Sequence, residues 1–563
     1  MADSELDKFG IFKKSDNHHD SSIGIVVGGS LSKGLDVKLA FGDVEHGVPV
    51  GSIIEGMAVG KYVVIEGKSK KFFAIVTDIA LDSNNPDLAK SPPETDDPFL
   101  ADVYGSSIAY GRLQVSPMLV IDEEADAPKP VKTIPAHFTK VFEATETDVN
   151  RIFGQEDENH WHIGSPLDME GVKVNLDLKR FVERSSGVFG KSGTGKSFIT
   201  RTILAGILKA NVASCLIFDM HNDYGWEVTD ERKRNFKGLR QLFPDRVQCV
   251  TLDPDTSRHR GSKVDLTFQI GLDHIEPEDV DMLSDLLGLS EVQVGALYFL
   301  RRRLGKDWIN VLLKEDESEE LQNLVAEDRI QAGTLGAIQR KFEMFRRFDF
   351  LKEHGDDKGV EYVFDALNRG TNIVLEFGVY GNELAAYVLV ANFLTRRIHR
   401  KYVEKKNKAA GKSGDEPLPL VIAIEEAHKF LDPAIANHTI FGTIARELRK
   451  YNVTLLIVDQ RPSGIDEEVM SQIGTRVTCL LDNEADIKAV FSGVSGASQL
   501  REVLARLDTQ QQALILGHAV PMPVVVKTRD YDQALYEAVG YADEATAREK
   551  RKKDREAMWG EGT

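Results

Sequence analysis

Gly190-Lys191-Ser192-Gly193-Thr194-Gly195-Lys196-Ser197 is the stretch on which the reading of this chain turns. It is a complete G-x-x-x-x-G-K-S loop. Before it, Gly187-Val188-Phe189 can end a short buried strand, and after it the run from Phe198 to Leu208 carries apolar residues at helical spacing. Strand, loop and helix in that order form a phosphate cradle. Gly190, Ser192, Gly193, Thr194 and Gly195 turn backbone N–H groups toward a β-phosphate, and the helix opening at Lys196-Ser197-Phe198 adds the positive end of its dipole. Lys196 is expected to neutralise β/γ oxygens and Ser197 to ligate Mg²⁺, so the ligand is ATP or GTP with Mg²⁺.

A second Gly411-Lys412-Ser413 has Lys406 where the first glycine belongs and follows the polar run Glu404-Lys405-Lys406-Asn407-Lys408. It reads as a solvated linker.

With 563 residues the chain has room for two to four domains. No apolar run reaches the length of a membrane span, and Met-Ala-Asp-Ser-Glu-Leu-Asp-Lys lacks the features of a signal peptide, so a cytoplasmic protein without membrane contact is expected. Cys215, Cys249 and Cys479 are far apart and suggest neither a disulfide framework nor a zinc site. A net charge of −19 argues against a surface that coats itself with nucleic acid. It leaves open DNA held in a locally basic channel.

Residues 1–21 read as a polar arm containing His18-His19-Asp20. Residues 22–130 alternate short β-rich runs, such as Tyr62 to Ile65 and Phe72 to Val76, with glycine-rich or acidic turns, and predict a small β-barrel. His160-Trp161-His162 reads as an ordered loop rather than a metal site. An α/β region follows, split as 131–272 and 411–530, with strands at 213–219, 420–424, 454–458, 477–481 and 513–516. Between its halves, 273–410 is predicted to be a helical bundle inserted into, and partly continuous with, a parallel sheet; Asn372 to Phe377 is the one strand-like run within it. Residues 531–563 form a charged, helix-prone tail. The fold class is therefore α/β, a RecA-like P-loop core with an N-terminal barrel and a helical insertion.

The apolar run ending at Ile424 is followed by Glu425, Glu426, Ala427 and His428. An acidic pair at the C-terminal end of a parallel strand falls beside the phosphates, where the first carboxylate can hold Mg²⁺ through water and the second can orient or deprotonate the attacking water. Asp is commoner at the first position than Glu425. Gln460, after the strand ending at Val458, is the candidate γ-phosphate sensor. Arg446 and Arg449 lie one helical step apart and read either as a surface charge pair or as arginine fingers for a neighbour's nucleotide.

The phosphate loop, Phe218-Asp219-Met220-His221-Asn222-Asp223-Tyr224, Ile424-Glu425-Glu426-Ala427-His428, Ala445-Arg446-Glu447-Leu448-Arg449-Lys450 and Gln460-Arg461-Pro462-Ser463-Gly464 together resemble the HerA branch of the HerA/FtsK ATPases. The resemblance runs from about residue 160 to the last strands; the N-terminal region resembles that family's barrel more loosely. It implies a homo-hexameric, ATP-driven translocase or helicase on double-stranded DNA, working with a NurA-type nuclease or another effector in DNA end processing or antiviral defence. It also implies that Arg449 completes a neighbour's site, with Arg446 as the weaker candidate, that Arg184 lies at the nucleotide interface, and that Asp219 and Asp223 support Mg²⁺ or water. Leu448 stands where the family often has glycine. Lys429 is a candidate for the DNA-facing pore.

The competing class is a nucleotide-gated ring that assembles an effector and moves little DNA. A switch GTPase is disfavoured because Asn407-Lys408-Ala409-Ala410 lacks the guanine-reading Asp. Against a secretion ATPase stand the Gln460-Arg461-Pro462 motif and the lack of a membrane segment.

Overall fold

The computed structural model describes residues 22–39, 56–85, 87, 109–122, 128–167, 169–229, 233–314, 318–411, 414–494, 497–508 and 511–541. The N-terminal arm with His18 and His19, Lys412 and Ser413 of the second Gly-Lys-Ser, and the tail from 542 lie outside the described residues.

Period-two burial builds the first domain. Strands β1 (Gly24–Ser30), β2 (Gly34–Leu39), β3 (Tyr62–Glu66), β4 (Lys70–Ser83), β5 (Ala109–Asp122), β6 (Lys129–Pro130) and β7 (Lys140–Glu143) pair in the order β2-β1-β7-β3-β4-β5-β6, and a β2–β5 pairing closes the barrel. Val63, Ile65, Phe72 and Ala74 point into it, while their neighbours Tyr62, Val64, Phe73 and Ile75 join the larger core shared with the second domain. The barrel thus exceeds the expected boundary at 130, because Lys140–Glu143 hydrogen-bonds to both β1 and β3 and completes the wall.

The second domain is built on one large sheet. Its chain order is β8 (His160–Pro166), β9 (Val174–Asp177), β10 (Ser186–Phe189), β11 (Ser214–Asp219), a small ribbon of β12 (Val228–Thr229) and β13 (Asn235–Phe236), β14 (Val247–Thr251) and β15 (Leu266–Thr267). A second ribbon, β16 (Ile270–Gly271) with β17 (Leu351–Lys352), precedes β18 (Asn372–Glu376), β19 (Leu420–Glu425), β20 (Val453–Asp459), β21 (Thr475–Thr478), β22 (Gln512–Gly517) and β23 (Val524–Thr528). Across the sheet the order is β15-β14-β18-β11-β19-β20-β10-β21-β22-β23-β8-β9. Pairings from β15 to β21 are parallel, and those from β21 to β9 are antiparallel. The central strands are buried on both faces and read as unbroken apolar runs, as helices on both sides require.

Three expectations change. His160-Trp161-His162 is not a loop but opens β8, paired to β9 and, farther along, to β23. Trp161 is buried there, and its indole N–H donates to the carbonyl of Thr202 at 2.8 Å. A side chain at Gly206 would meet its ring at 2.6 Å, so glycine lets this strand close onto the phosphate-loop helix.

The helical insertion is also shorter than 273–410. The β16–β17 pair forms its neck, and the helices between them share a core of Trp308, Phe342, Phe345, Leu297 and Leu300. Beyond the neck, β18 lies between β14 and β11 in the central sheet. Helix Leu384–Ala410 follows, and it takes in Glu404–Lys408 as helix rather than linker. No helix among the described residues is long and apolar enough to cross a membrane.

Candidate nucleotide site

Parallel pairing sets β10 between β20 and β21, so the turn after Phe189 emerges beside the ends of both neighbours. Backbone hydrogen bonds fix the loop: Gly190 N–H donates to the Asp459 carbonyl at 3.3 Å and Lys191 N–H to that of Leu480 at 3.0 Å. Gly193 and Gly195 sit at φ +79° and +97°, a conformation that costs glycine little. At Gly190 a Cβ would come within 2.7 Å of the Cys479 Cβ.

Helix Lys196–Ala210 opens at this turn with no side-chain cap, and its first intrahelical bond runs from Ile199 N–H to the Gly195 carbonyl. The N–H groups of 195–198 therefore have no acceptor within the helix, the arrangement that suits a phosphate. Ser197 and Phe198 lie on this first turn, and Phe198 meets Phe236 edge to face at 4.7 Å. Ser192 is exposed at the mouth, while Thr194 turns inward and donates to the Lys191 carbonyl at 2.7 Å. The Lys196 ammonium donates to that same carbonyl at 2.8 Å. Burial holds its pKa down, with Cys479, Glu426, Asp459 and Glu425 opposing.

Glu425 ends β19 and is buried. The Tyr224 hydroxyl donates to its Oε1 at 2.8 Å, while its own N–H and carbonyl meet the Tyr387 hydroxyl at 3.0 Å each. Oε2 has no hydrogen-bond partner. Burial pushes this carboxyl up to about 8; the Tyr224 bond opposes the shift, and the charges of Asp219, Asp223 and Glu426 add to it. A cation beside it would favour the carboxylate.

Glu426 takes φ +49°, rare for a side-chain-bearing residue, and so leaves the line of β19. Gln460 Nε2 donates to its Oε1 at 2.9 Å, and His428 Nδ1 lies 3.7 Å from Oε2. His428 is itself fixed by buried Asp459, whose Oδ2 accepts its N–H at 2.7 Å and meets Nδ1 at 2.9 Å.

A cradle of unpaired helix-start amides, a lysine resting on a neutral carbonyl and a buried carboxylate oxygen without a partner fits a nucleotide triphosphate with Mg²⁺. Ser197 and Glu425 are the residues that would hold the metal.

Other expected residues stand elsewhere. Both Asp219 oxygens are spent on its own loop, accepting from the N–H of Asp223 at 2.6 Å and of Tyr224 and Gly225 at 2.8 and 3.0 Å. A carboxylate so used shapes the turn that carries Tyr224. Arg446 is held within its own chain by Glu468 at 3.1 Å, Asp466 at 3.6 Å and the Ala436 carbonyl at 3.2 Å, so it braces helix Ile440–Glu447. Arg449 follows in the 3₁₀ turn Leu448–Tyr451, where its side chain is outside the described residues. Arg184 is exposed, with its stem over Gly474. Lys429 is exposed on the short helix His428–Leu431. Nothing in the sequence marks Tyr224, Tyr387 or His428 as a partner in this site, and only the position of Asp459 at the end of an apolar strand signals a role.

Residues 161–398 match the model of the family described as "Helicase HerA, central domain". The chain is 25% identical over 418 residues, 70% of its length and 73% of the relative's, to the "DNA double-strand break repair helicase HerA" of Pyrococcus furiosus. It is 32% identical over 414 residues, 66% of its length and 76% of the relative's, to the "Probable DNA double-strand break repair helicase HerA" of Methanocaldococcus jannaschii. Among solved structures, the plasmid coupling protein TrwB in complex with ADP and Mg²⁺ aligns with a TM-score of 0.43 and 11% identity, covering 72% of this chain and 94% of that one. With that extent of likeness around an intact phosphate loop and acidic pair, the chain belongs to the HerA helicase family of P-loop ATPases.

Proposed function

We propose that the chain is an ATP-driven motor on double-stranded DNA, assembled as a homo-hexamer and partnered by a NurA-type nuclease or another effector. The juxtaposition of Lys196, Glu425 and the Gln460-bound Glu426 carries this reading. Helix-start amides and Lys196 hold the triphosphate. Ser197 and Glu425 would hold Mg²⁺, which when bound would supply charge neutralisation at the phosphates. Glu426 takes the proton of the attacking water, and Gln460, bound to that carboxylate, ties its position to the state of the γ-phosphate.

The site would lie at a seam between subunits, where a neighbour's arginine completes it. Arg446 is engaged by Glu468 and Asp466 of its own chain, and Arg449, the residue that the family resemblance implies for this role, is the guanidinium offered to a neighbour. Release of phosphate then changes how protomers are held, and pore loops drag the duplex by its phosphates. The relatives named as break-repair helicases support DNA as the track. Among the described residues, the proposed division is a barrel ending at 143, a split ATPase core and an insertion at 272–350.

Two measurements test this. Linear duplex should raise ATP turnover several-fold, with the stimulation fading between roughly 50 and 200 mM salt. A rate indifferent to duplex but raised by a co-purified effector points to the assembly scaffold instead. Arg449→Ala chains mixed with Glu426→Gln chains should regain activity at intermediate ratios, since some seams then pair an intact cradle with an intact arginine. No recovery at any ratio rules out sites shared in trans.

A further inference from the structure

The turn after β11 is tied down more firmly than a connecting loop requires. Besides the three N–H groups held by Asp219, the Tyr224 carbonyl accepts from Leu239 N–H at 2.8 Å and that of Gly225 from Arg240 N–H at 3.1 Å. Arg201, buried one turn beyond Ser197 on the phosphate-loop helix, donates to the Asp223 carbonyl and lies over the rings of Phe198 and Tyr531. What this scaffold presents is the Tyr224 hydroxyl, which donates to Glu425 Oε1 at 2.8 Å in a fully enclosed position.

Glu425 is 8% exposed, and its second oxygen, Oε2, has no partner. Tyr387 clamps the same residue's backbone and leaves the carboxylate to Tyr224. A side chain with one oxygen occupied and its backbone fixed retains one available acceptor.

We propose that Tyr224 is a positioning residue for nucleotide hydrolysis: by occupying Oε1 of Glu425 it fixes the rotamer that offers Oε2 to the nucleotide's Mg²⁺. The inference rests on the reading of Glu425 as the metal-side carboxylate. Arg201 and Asp219 act one step behind, since they hold the turn from which the hydroxyl projects. Sequence spacing alone hides the link, because 201 residues separate the two partners.

Tyr224→Phe deletes the hydroxyl and keeps the ring. Fluorescent ADP titrated in EDTA and then with increasing Mg²⁺ reads metal use without turnover. The variant should bind ADP normally in EDTA, need about tenfold more Mg²⁺ for half-maximal tightening, and lose roughly tenfold in kcat with little change in KM. Glu425→Gln should shift the Mg²⁺ midpoint in the same direction, and adding Tyr224→Phe to it should cost little more. An unchanged midpoint in Tyr224→Phe, or effects that add in full, overturns the inference while the Glu425 reading stands. An unchanged midpoint in Glu425→Gln overturns the Glu425 reading and the inference with it. Thermal melts of all three chains separate a local effect from a folding defect, and a midpoint that moves only in proportion to lost folded protein also counts against the proposal.

Discussion

Replacing Lys196 by alanine should abolish productive ATP binding, with affinity falling by about a hundred-fold or more. The ammonium rests on a neutral carbonyl of its own loop, at 2.8 Å, in a partly buried position where acidic groups oppose the depression of its pKa. A triphosphate brings several anionic oxygens into the same cradle, and each charge-assisted hydrogen bond contributes about 1.5–3 kcal/mol. Two such bonds correspond to roughly 3–6 kcal/mol, more than two decades in affinity. Folding should be little changed, because the side chain is otherwise held only by a single loop carbonyl. Fluorescent nucleotide titration alongside a thermal melt checks both halves. Normal affinity and turnover in the variant refute the phosphate-loop assignment.

Much of this is legible in the sequence. The phosphate loop, the strand before it and the acidic pair are local patterns, and local patterns survive translation into structure because a turn and its flanking hydrogen bonds lie within a few residues. The barrel was legible as alternating burial, though its last strand was not. Lys140–Glu143 is short, and its membership depends on pairing with β1 and β3, more than seventy residues upstream. β18 was visible as a strand but not as a central one, since strand order is a long-range property that apolar content does not encode.

The site divides the same way. Asp219 and Arg446 have the residue types expected of a metal-side acid and a finger, yet each finds its partners inside its own chain, in loop amides for one and in Glu468 and Asp466 for the other. Residue type gives chemistry; only geometry says where it is spent. Tyr224 and Tyr387 were invisible for the opposite reason, being buried aromatics whose single polar atoms converge on Glu425. His428 stands in the motif after β19, but its bond to Asp459 belongs to the next strand.

The second large effect is expected at Glu426. Glu426→Gln should keep nucleotide binding within a few-fold of the unsubstituted chain while hydrolysis falls by roughly 10²–10⁴. The amide retains an oxygen to accept from Gln460, now at 2.9 Å from Oε1, so the left-handed backbone at this position keeps its support. What it loses is the capacity to take a proton. Glu425 is the rival for that role, and its surroundings argue against it. Burial pushes its carboxyl up to about 8, and a cation that ionised it would also occupy it. Its Oε1 is engaged by Tyr224, whereas Glu426 is only half buried and held by a neutral amide that can move with the nucleotide. Single-turnover hydrolysis measured beside equilibrium binding separates the two carboxylates: near-normal turnover in Glu426→Gln would transfer the base to Glu425, while tight binding with a stalled chemical step assigns it to the residue that left the strand.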